Sequence, residues 1–416
     1  MLKKLSTYSH NTACRVCGNQ HLYKFLELGP QPPANAFLTE KQFSDEQYYP
    51  LDVYFCPRCG LVQLTDVVDP KVLFKDYAYF TGKSSKTMQL HFKKLATKLT
   101  KRYRLKPRDL VVDIGGNDGT FLKNFKCRTL NIDPATNVVE EAVKNGVDSI
   151  CAFWDAKLAL RVLNKYGKAK IITATNVFAH VNNLYDFMAG ISLLLADDGT
   201  FVVEVPHFLN LYKNNEWDTI YHEHLSYFLL EPLLTISERF RLGLFKVEQL
   251  PVHGGSIRCY IGQIWSSLGW LPPSVAKLYD KEWKLKLYEP ETYKTFANKV
   301  KKTKNELVTL LTKLKKSGKR IVGYGAPAKG NTLLNYCGIG NDILDYLTDT
   351  TPYKQGRYSP GTHIPVVSPE FFHEDSPDYA LMLPWNYKKE ILEKEKEFIK
   401  NGGKFIVPIP NPTIVP

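Results

Sequence analysis

Two C-x-x-C-G units, Cys14-Arg15-Val16-Cys17-Gly18 and Cys56-Pro57-Arg58-Cys59-Gly60, constrain the N-terminal part of the chain more than any other feature. In such a turn both sulfurs face one cation, and the following glycine lets backbone amides approach the thiolates. Two turns together close a tetrahedral four-sulfur site with no position left for water or substrate. Cys14, Cys17, Cys56 and Cys59 are therefore expected to hold a structural Zn2+. The 38 residues between Cys17 and Cys56 exceed the usual span of about 15–20, so that stretch must form an excursion of its own. Duplication of the unit argues against a redox pair. The other cysteines (Cys127, Cys151, Cys259, Cys337) are isolated and are expected to be reduced packing residues. A saturated metal site holds a small domain together without saying what the chain does.

At 416 residues the chain has room for two or three domains, each with its own core. Its 44% apolar and 23% charged residues exclude wholesale disorder and fibrous architectures. No apolar run approaches the roughly 18 residues of a membrane helix, and the first ten residues carry two lysines with no apolar stretch behind them. A cytoplasmic protein without membrane contact is expected. Fifty-five basic against 42 acidic residues leave +13, which favours phosphate-bearing partners. The lysine clusters at 299–304 and 313–320 fall on a predicted helix and read as a solvated face.

Beyond residue 73 the pattern is α/β. Apolar strands are expected at 110–114, 129–132, 171–175 and 200–205, separated by helical stretches, with antiparallel additions at 245–247 and 257–261. Apolar residues Phe296, Val300, Leu307, Leu311 and Leu314 recur at helical spacing over about 290–316. A last unit follows, with strands at 320–323, 343–347, 379–383 and 404–407 and a helix over 388–400. The expected α/β fold is a small zinc-binding domain (1–72), a doubly wound sheet (73–288) and a C-terminal Rossmann-like α/β domain (289–416).

The strongest cofactor signal is Asp113-Ile114-Gly115-Gly116-Asn117-Asp118-Gly119, where a strand ends in an acid and a glycine-rich turn opens. Gly115 and Gly116 let a ligand lie against the backbone, and the amides beyond suit a carboxylate. The spacing is not the dinucleotide G-x-G-x-x-G, and Asp113 suits an ammonium where a pyrophosphate would be repelled. Asp133, 20 residues on, is placed to bind ribose hydroxyls. Together these describe a site for S-adenosylmethionine of the class I methyltransferase type, with Asn117, Asp118, Gly119 and Asn176 around it, and make residues 73–288 an expected class I methyltransferase sheet. A second turn, Gly323-Tyr324-Gly325-Ala326-Pro327-Ala328-Lys329-Gly330-Asn331, misses both the P-loop and the dinucleotide pattern. It can still receive a phosphate or diphosphate at a helix start, with Lys329 adding charge, or be a packing turn.

Tyr221-His222-Glu223-His224-Leu225-Ser226-Tyr227 is an expensive cluster to bury without a function. His222 and His224 are two apart, so on an extended segment they share a face. Imidazole accepts a proton near neutral pH and phenols stabilise an oxyanion, so acid–base chemistry is expected. His180, after another strand end, falls on the same rim. His253-Gly254-Gly255-Ser256-Ile257-Arg258 is a polar turn within reach, and His222, His253, Ser256, Arg258, Lys329 and Asn331 are expected to bind substrate.

In this order these motifs make the chain resemble the three-domain sugar C-methyltransferases, which methylate C3′ of nucleotide-linked 4-keto-deoxysugars. The resemblance runs from about Cys14 to the C-terminus. It implies a nucleotide-linked keto-deoxysugar as the partner, bound in a cleft between domains that a monomer provides, and no nucleic acid. It also implies that His224 is the general base, with Tyr221 and Glu223 beside it and Tyr77 or Tyr79 closing the pocket. Two rivals stay open at this point. A nucleic-acid methyltransferase is one, although no Asn/Asp-Pro-Pro-Tyr motif follows strand 171–175. A non-catalytic, nucleotide-binding zinc adaptor is the other.

Overall fold

The computed structural model describes residues 7–74, 86–252, 254–263 and 271–416. Tyr77, Tyr79 and His253 lie outside them. At the centre is a seven-stranded sheet in the order Ser149–Cys151, Arg128–Asp133, Leu110–Ile114, Ala169–Thr175, Leu195–Pro206, Ser256–Gln263, Leu242–Leu250. The first five strands are parallel, and Ser256–Gln263 runs antiparallel between its two neighbours. This is the class I methyltransferase arrangement. All five residues of Leu110–Ile114 are buried, because helices cover both faces of a parallel sheet. On one face Ala156–Tyr166 packs against Leu184–Leu194. The former is started by Asp155, whose side chain accepts from Leu158 N at 2.6 Å.

The N-terminal unit is an antiparallel sheet in the order Ser226–Tyr227, Val62–Leu64, Asp52–Phe55, Tyr23–Glu27. Its first strand comes from the central unit and directly follows the histidine–tyrosine cluster, pairing Ser226 with Gln63 and Tyr227 with Val62. The C-terminal unit is a six-stranded sheet in the order Val366–Val367, Leu347–Thr348, Ile321–Tyr324, Tyr379–Met382, Lys404–Val407, Thr413–Val415, parallel except for the last. Helix Pro290–Lys316 joins the units. Its Tyr293 stacks on Phe55 at 4.1 Å and on Phe208 at 5.4 Å, so one buried ring ties the N-terminal and central units to the linking helix.

Three expectations change. The strand at 343–347 shrinks to Leu347–Thr348. The helix over 388–400 divides at Glu395, whose buried carboxylate accepts from the Tyr324 hydroxyl at 2.7 Å and pairs with His373. Cys259 and Cys337 are buried as expected of packing residues, but Cys151 is exposed. No helix among the described residues is long and apolar enough to cross a membrane.

Candidate active site

The four cysteine sulfurs lie within 4.8 Å of one another and are buried, with Cys14 and Cys59 3.6 Å apart and Cys17 and Cys56 3.5 Å apart. Four thiolates about 2.3 Å from a zinc ion sit roughly 3.8 Å apart, so the donor set and spacing fit a structural tetrahedral site. Between two of these ligands, the buried Arg15 guanidinium donates to Leu64 O at 2.7 Å and to Leu225 O. The knuckle thereby grips the backbone one residue beyond His224.

A cleft of about 1100 Å3 opens among the three units. The parallel strands of the central sheet end at it, which is where α/β sheets bind ligands. Asp113, Gly115, Gly116, Asn117, Asp133 and Asn176 line it. Asp113 is buried, and burial pushes its carboxyl up to about 7; Thr173 Oγ1 donates to it at 2.6 Å. Among the described residues no cation pairs with it, so the pocket lacks the charge that a sulfonium donor's ammonium would bring. At Gly116 a methyl group would press into Asn131 Oδ1 and lie 2.8 Å from Asp113 Oδ2. Asp133 accepts from Asn117 N and Ala135 N, both at 3.0 Å, and each oxygen keeps a lone pair for a hydroxyl. These residues fit S-adenosylmethionine. Asp118 and Gly119, expected at the donor, instead shape the turn. Asp118 accepts from Thr120 N, and Gly119, at φ +74°, packs against Val147.

The histidine–tyrosine cluster is a tight turn, closed by His224 N donating to Tyr221 O at 2.9 Å. An extended segment would put His222 and His224 on one face; the turn sends them apart. His224 Nδ1 donates to Thr219 O at 2.9 Å, which leaves the lone pair on Nε2, 3.1 Å from the Tyr221 hydroxyl. His180 stands edge-on to His224 with ring centroids 4.9 Å apart. Burial, and then the neighbouring His224, push His180 down to about 3, so it is neutral at physiological pH. Burial pushes the Glu223 carboxyl up to about 7, while Asn35 Nδ2 donates to its Oε1 at 2.6 Å. Tyr221, Glu223, His224 and His180 all line the cleft.

The C-terminal unit supplies the opposite wall. Lys329 lies 3.8 Å over the Trp385 ring and donates to Asn386. Burial pulls it down to about 8, against the opposing pull of Asp218 and Glu216. Burial in turn raises Asp218 to about 6 and Glu216 to about 7. Lys354 reaches the same cleft and donates to Ala326 O at 2.8 Å.

Four residues expected at the substrate are seated elsewhere. His222 is buried against the N-terminal unit, 3.2 Å from both Tyr49 O and Pro50 O. Ser256 donates to Val252 O. Arg258 pairs with Glu204, which also holds His91 at 2.8 Å, because its strand points it into the sheet's buried face. Asn331 is buried and donates to Ala34 O at 2.7 Å, joining the C-terminal unit to the N-terminal one. The cleft residues missed from sequence, Asn35, Glu216, Trp385 and Lys354, carry no local motif; only the packing of separate domains brings them together.

Residues 14–74 match the model of a zinc binding domain, residues 88–240 that of a methyltransferase domain, and residues 251–410 that of a C-methyltransferase C-terminal domain. The C-methyltransferase NovU of Streptomyces niveus is 38% identical over 406 residues, covering 97% of this chain and 96% of that protein. Among solved structures, an S-adenosylmethionine-dependent methyltransferase from Anabaena variabilis aligns at 16% identity over 41% of this chain and 84% of its own, with a TM-score of 0.33. Magnesium protoporphyrin IX methyltransferase ChlM from Synechocystis, with bound S-adenosylhomocysteine, aligns at 14% identity over 45% of this chain and 91% of its own, with a TM-score of 0.35.

Proposed function

The chain belongs to the family of three-domain, S-adenosylmethionine-dependent C-methyltransferases, and from that premise we propose that it methylates C3′ of a nucleotide-linked 4-keto-deoxysugar. When bound, the donor supplies a methyl group on a cationic sulfur. Asp113 would meet its ammonium, the Gly115–Gly116 backbone would lie along it, and Asp133 would meet its ribose. The protein's own task is to make a carbon nucleophilic. A hydrogen beside a ketone becomes removable when a positioned base takes it and donors receive the charge that develops on oxygen.

One observation carries this reading: His224 is locked by Thr219 O with its lone pair on Nε2, in the cleft that also holds the donor pocket. His224 Nε2 takes the C3′ proton. The Tyr221 hydroxyl, turning its proton from His224 Nε2 to the substrate, and the neutral His180 donate hydrogen bonds to the C4′ oxyanion, and Glu223 faces a substrate hydroxyl or amine. Lys329, with Lys354 nearby, meets the diphosphate. The basic surplus of +13 steers the anionic substrate toward the cleft. Among the described residues one chain supplies cleft-lining residues from all three units, so the proposed working unit is a monomer.

The test is product analysis with methyl-labelled donor and a panel of nucleotide 4-keto-deoxysugars. The expected product carries the label on C3′ by NMR. Label on an oxygen or nitrogen, or no transfer to any member, contradicts the reading.

A further inference from the structure

The N-terminal unit does more than hold zinc. It wraps the segment that carries His224 from three sides: strand Val62–Leu64 pairs with Ser226–Tyr227, Arg15 donates to Leu225 O, and His222 Nε2 donates to the carbonyls of residues 49 and 50. A fourth contact reaches the cleft itself. Residues Pro33, Asn35 and Ala36, from a proline-rich loop, line the cleft beside the donor pocket and the histidine cluster. The loop is fixed from behind, since Asn331, on the first turns of helix Ala328–Cys337, donates to Ala34 O at 2.7 Å. Its Asn35 Nδ2 donates to Glu223 Oε1 at 2.6 Å, and among the described residues no other hydrogen bond reaches that carboxyl.

We propose that Asn35 is a positioning residue for the reaction: from another domain it holds the Glu223 carboxyl in the rotamer that faces the substrate next to His224. The physical case is that a buried carboxyl with a single partner has its orientation set by that partner. The backbone on the other side of the hydrogen bond is anchored one residue away, at Ala34 O, by the Asn331 brace. Asn35 also favours the ionised form of Glu223, against burial, which disfavours it. The first oxygen is then occupied and the second is left for substrate.

This inference rests on the C-methylation reading above, and a double-mutant cycle separates the two. Wild type, Asn35→Ala, Glu223→Gln and the double variant are assayed for methyl transfer to the keto sugar, with S-adenosylhomocysteine affinity measured by calorimetry on each. A charge-assisted hydrogen bond acting in the transition state predicts that Asn35→Ala lowers kcat by about 10- to 100-fold and leaves S-adenosylhomocysteine affinity within about twofold. In the Glu223→Gln background the same substitution is expected to cost less than about threefold, because the group it acts through is gone. Asn35→Asp keeps the volume but lacks the donor, so it must lose at least as much as Asn35→Ala and serves if the alanine variant folds poorly. Wild-type kcat in both Asn35 variants, or an equal cost with and without the Glu223 carboxyl, overturns the proposal. A wild-type protein that transfers no methyl to carbon overturns the underlying reading instead, and the inference with it.

Discussion

The molecule contains two glycine-rich turns, each leaving an apolar strand with an acid close by: Asp113 inside the strand before the first turn, and Asp349 just past the strand that neighbours the second. They do different work. At 113–119 the missing side chain of Gly116 faces the polar atoms of Asn131 and Asp113, and burial raises the Asp113 carboxyl toward neutrality, with Asp133 and Glu204 adding to it. At 323–331 the glycines face hydrocarbon: a methyl added at Gly323 would meet Leu347, one at Gly325 would lie 2.7 Å from Pro384, and one at Gly330 would lie 2.9 Å from Leu383. The acid there, Asp349, accepts from Ala326 N and Thr351 N at 2.8 Å, and Lys354 beside it helps hold it below the usual carboxylate range against burial. In the first turn Gly116 alone faces polar atoms, since methyls at Gly115 and Gly119 would meet Val177 and Val147; the sharper difference lies in the acids, Asp113 buried with no cation among the described residues and Asp349 beside Lys354. A glycine pattern therefore announces close approach, and the charge state of the acid beside it tells the two turns apart.

The largest expected effect contrasts the two acids. The Asp113 carboxyl is raised, so between about pH 4 and 7 the folded state binds more protons than the unfolded one and stability falls as pH rises. Relative to Asp113→Asn, the unliganded wild type should lose roughly 3–5 kcal/mol across that window in denaturant titrations. Asp349 is depressed, so its contribution is complete above about pH 4 and is lost only as pH falls further; the Asp349→Asn difference curve has the opposite sign and lies lower in pH. Curves of the same sign would break the comparison.

Next in size, Gly116→Ala should weaken S-adenosylhomocysteine binding by about 100-fold in calorimetry, since the added methyl meets pinned polar atoms. Gly330→Ala should leave that affinity unchanged and lower stability by about 1–3 kcal/mol, because the methyl is driven into Leu383. Smallest is Lys329→Met, expected to raise the KM for the nucleotide sugar by about tenfold with kcat and donor affinity retained. An unchanged KM would leave the second turn with packing alone.

Much of the fold was legible because buried strands and one-faced helices leave strong patterns. Strand Leu110–Ile114, helix Pro290–Lys316 and strand Lys404–Val407 lie where periodicity predicts them. The two-residue strands Val366–Val367 and Ser226–Tyr227 are too short to carry a period, and the second joins a sheet more than 160 residues away in sequence, beside Val62–Leu64. The four cysteines of the metal site were legible because their chemistry is local. His222 was misjudged because strand alternation does not apply inside a turn. Asn35 was invisible, since its partner Glu223 lies 188 residues away.

The most direct test of the account is hydrogen exchange at the carbon beside the ketone, with S-adenosylhomocysteine in the donor pocket so that no methyl can move. In deuterium oxide the wild type should incorporate deuterium at C3′ of the nucleotide 4-keto sugar, and His224→Asn should do so about 10²- to 10⁴-fold more slowly with S-adenosylhomocysteine affinity intact. Exchange at the wild-type rate in His224→Asn would contradict it.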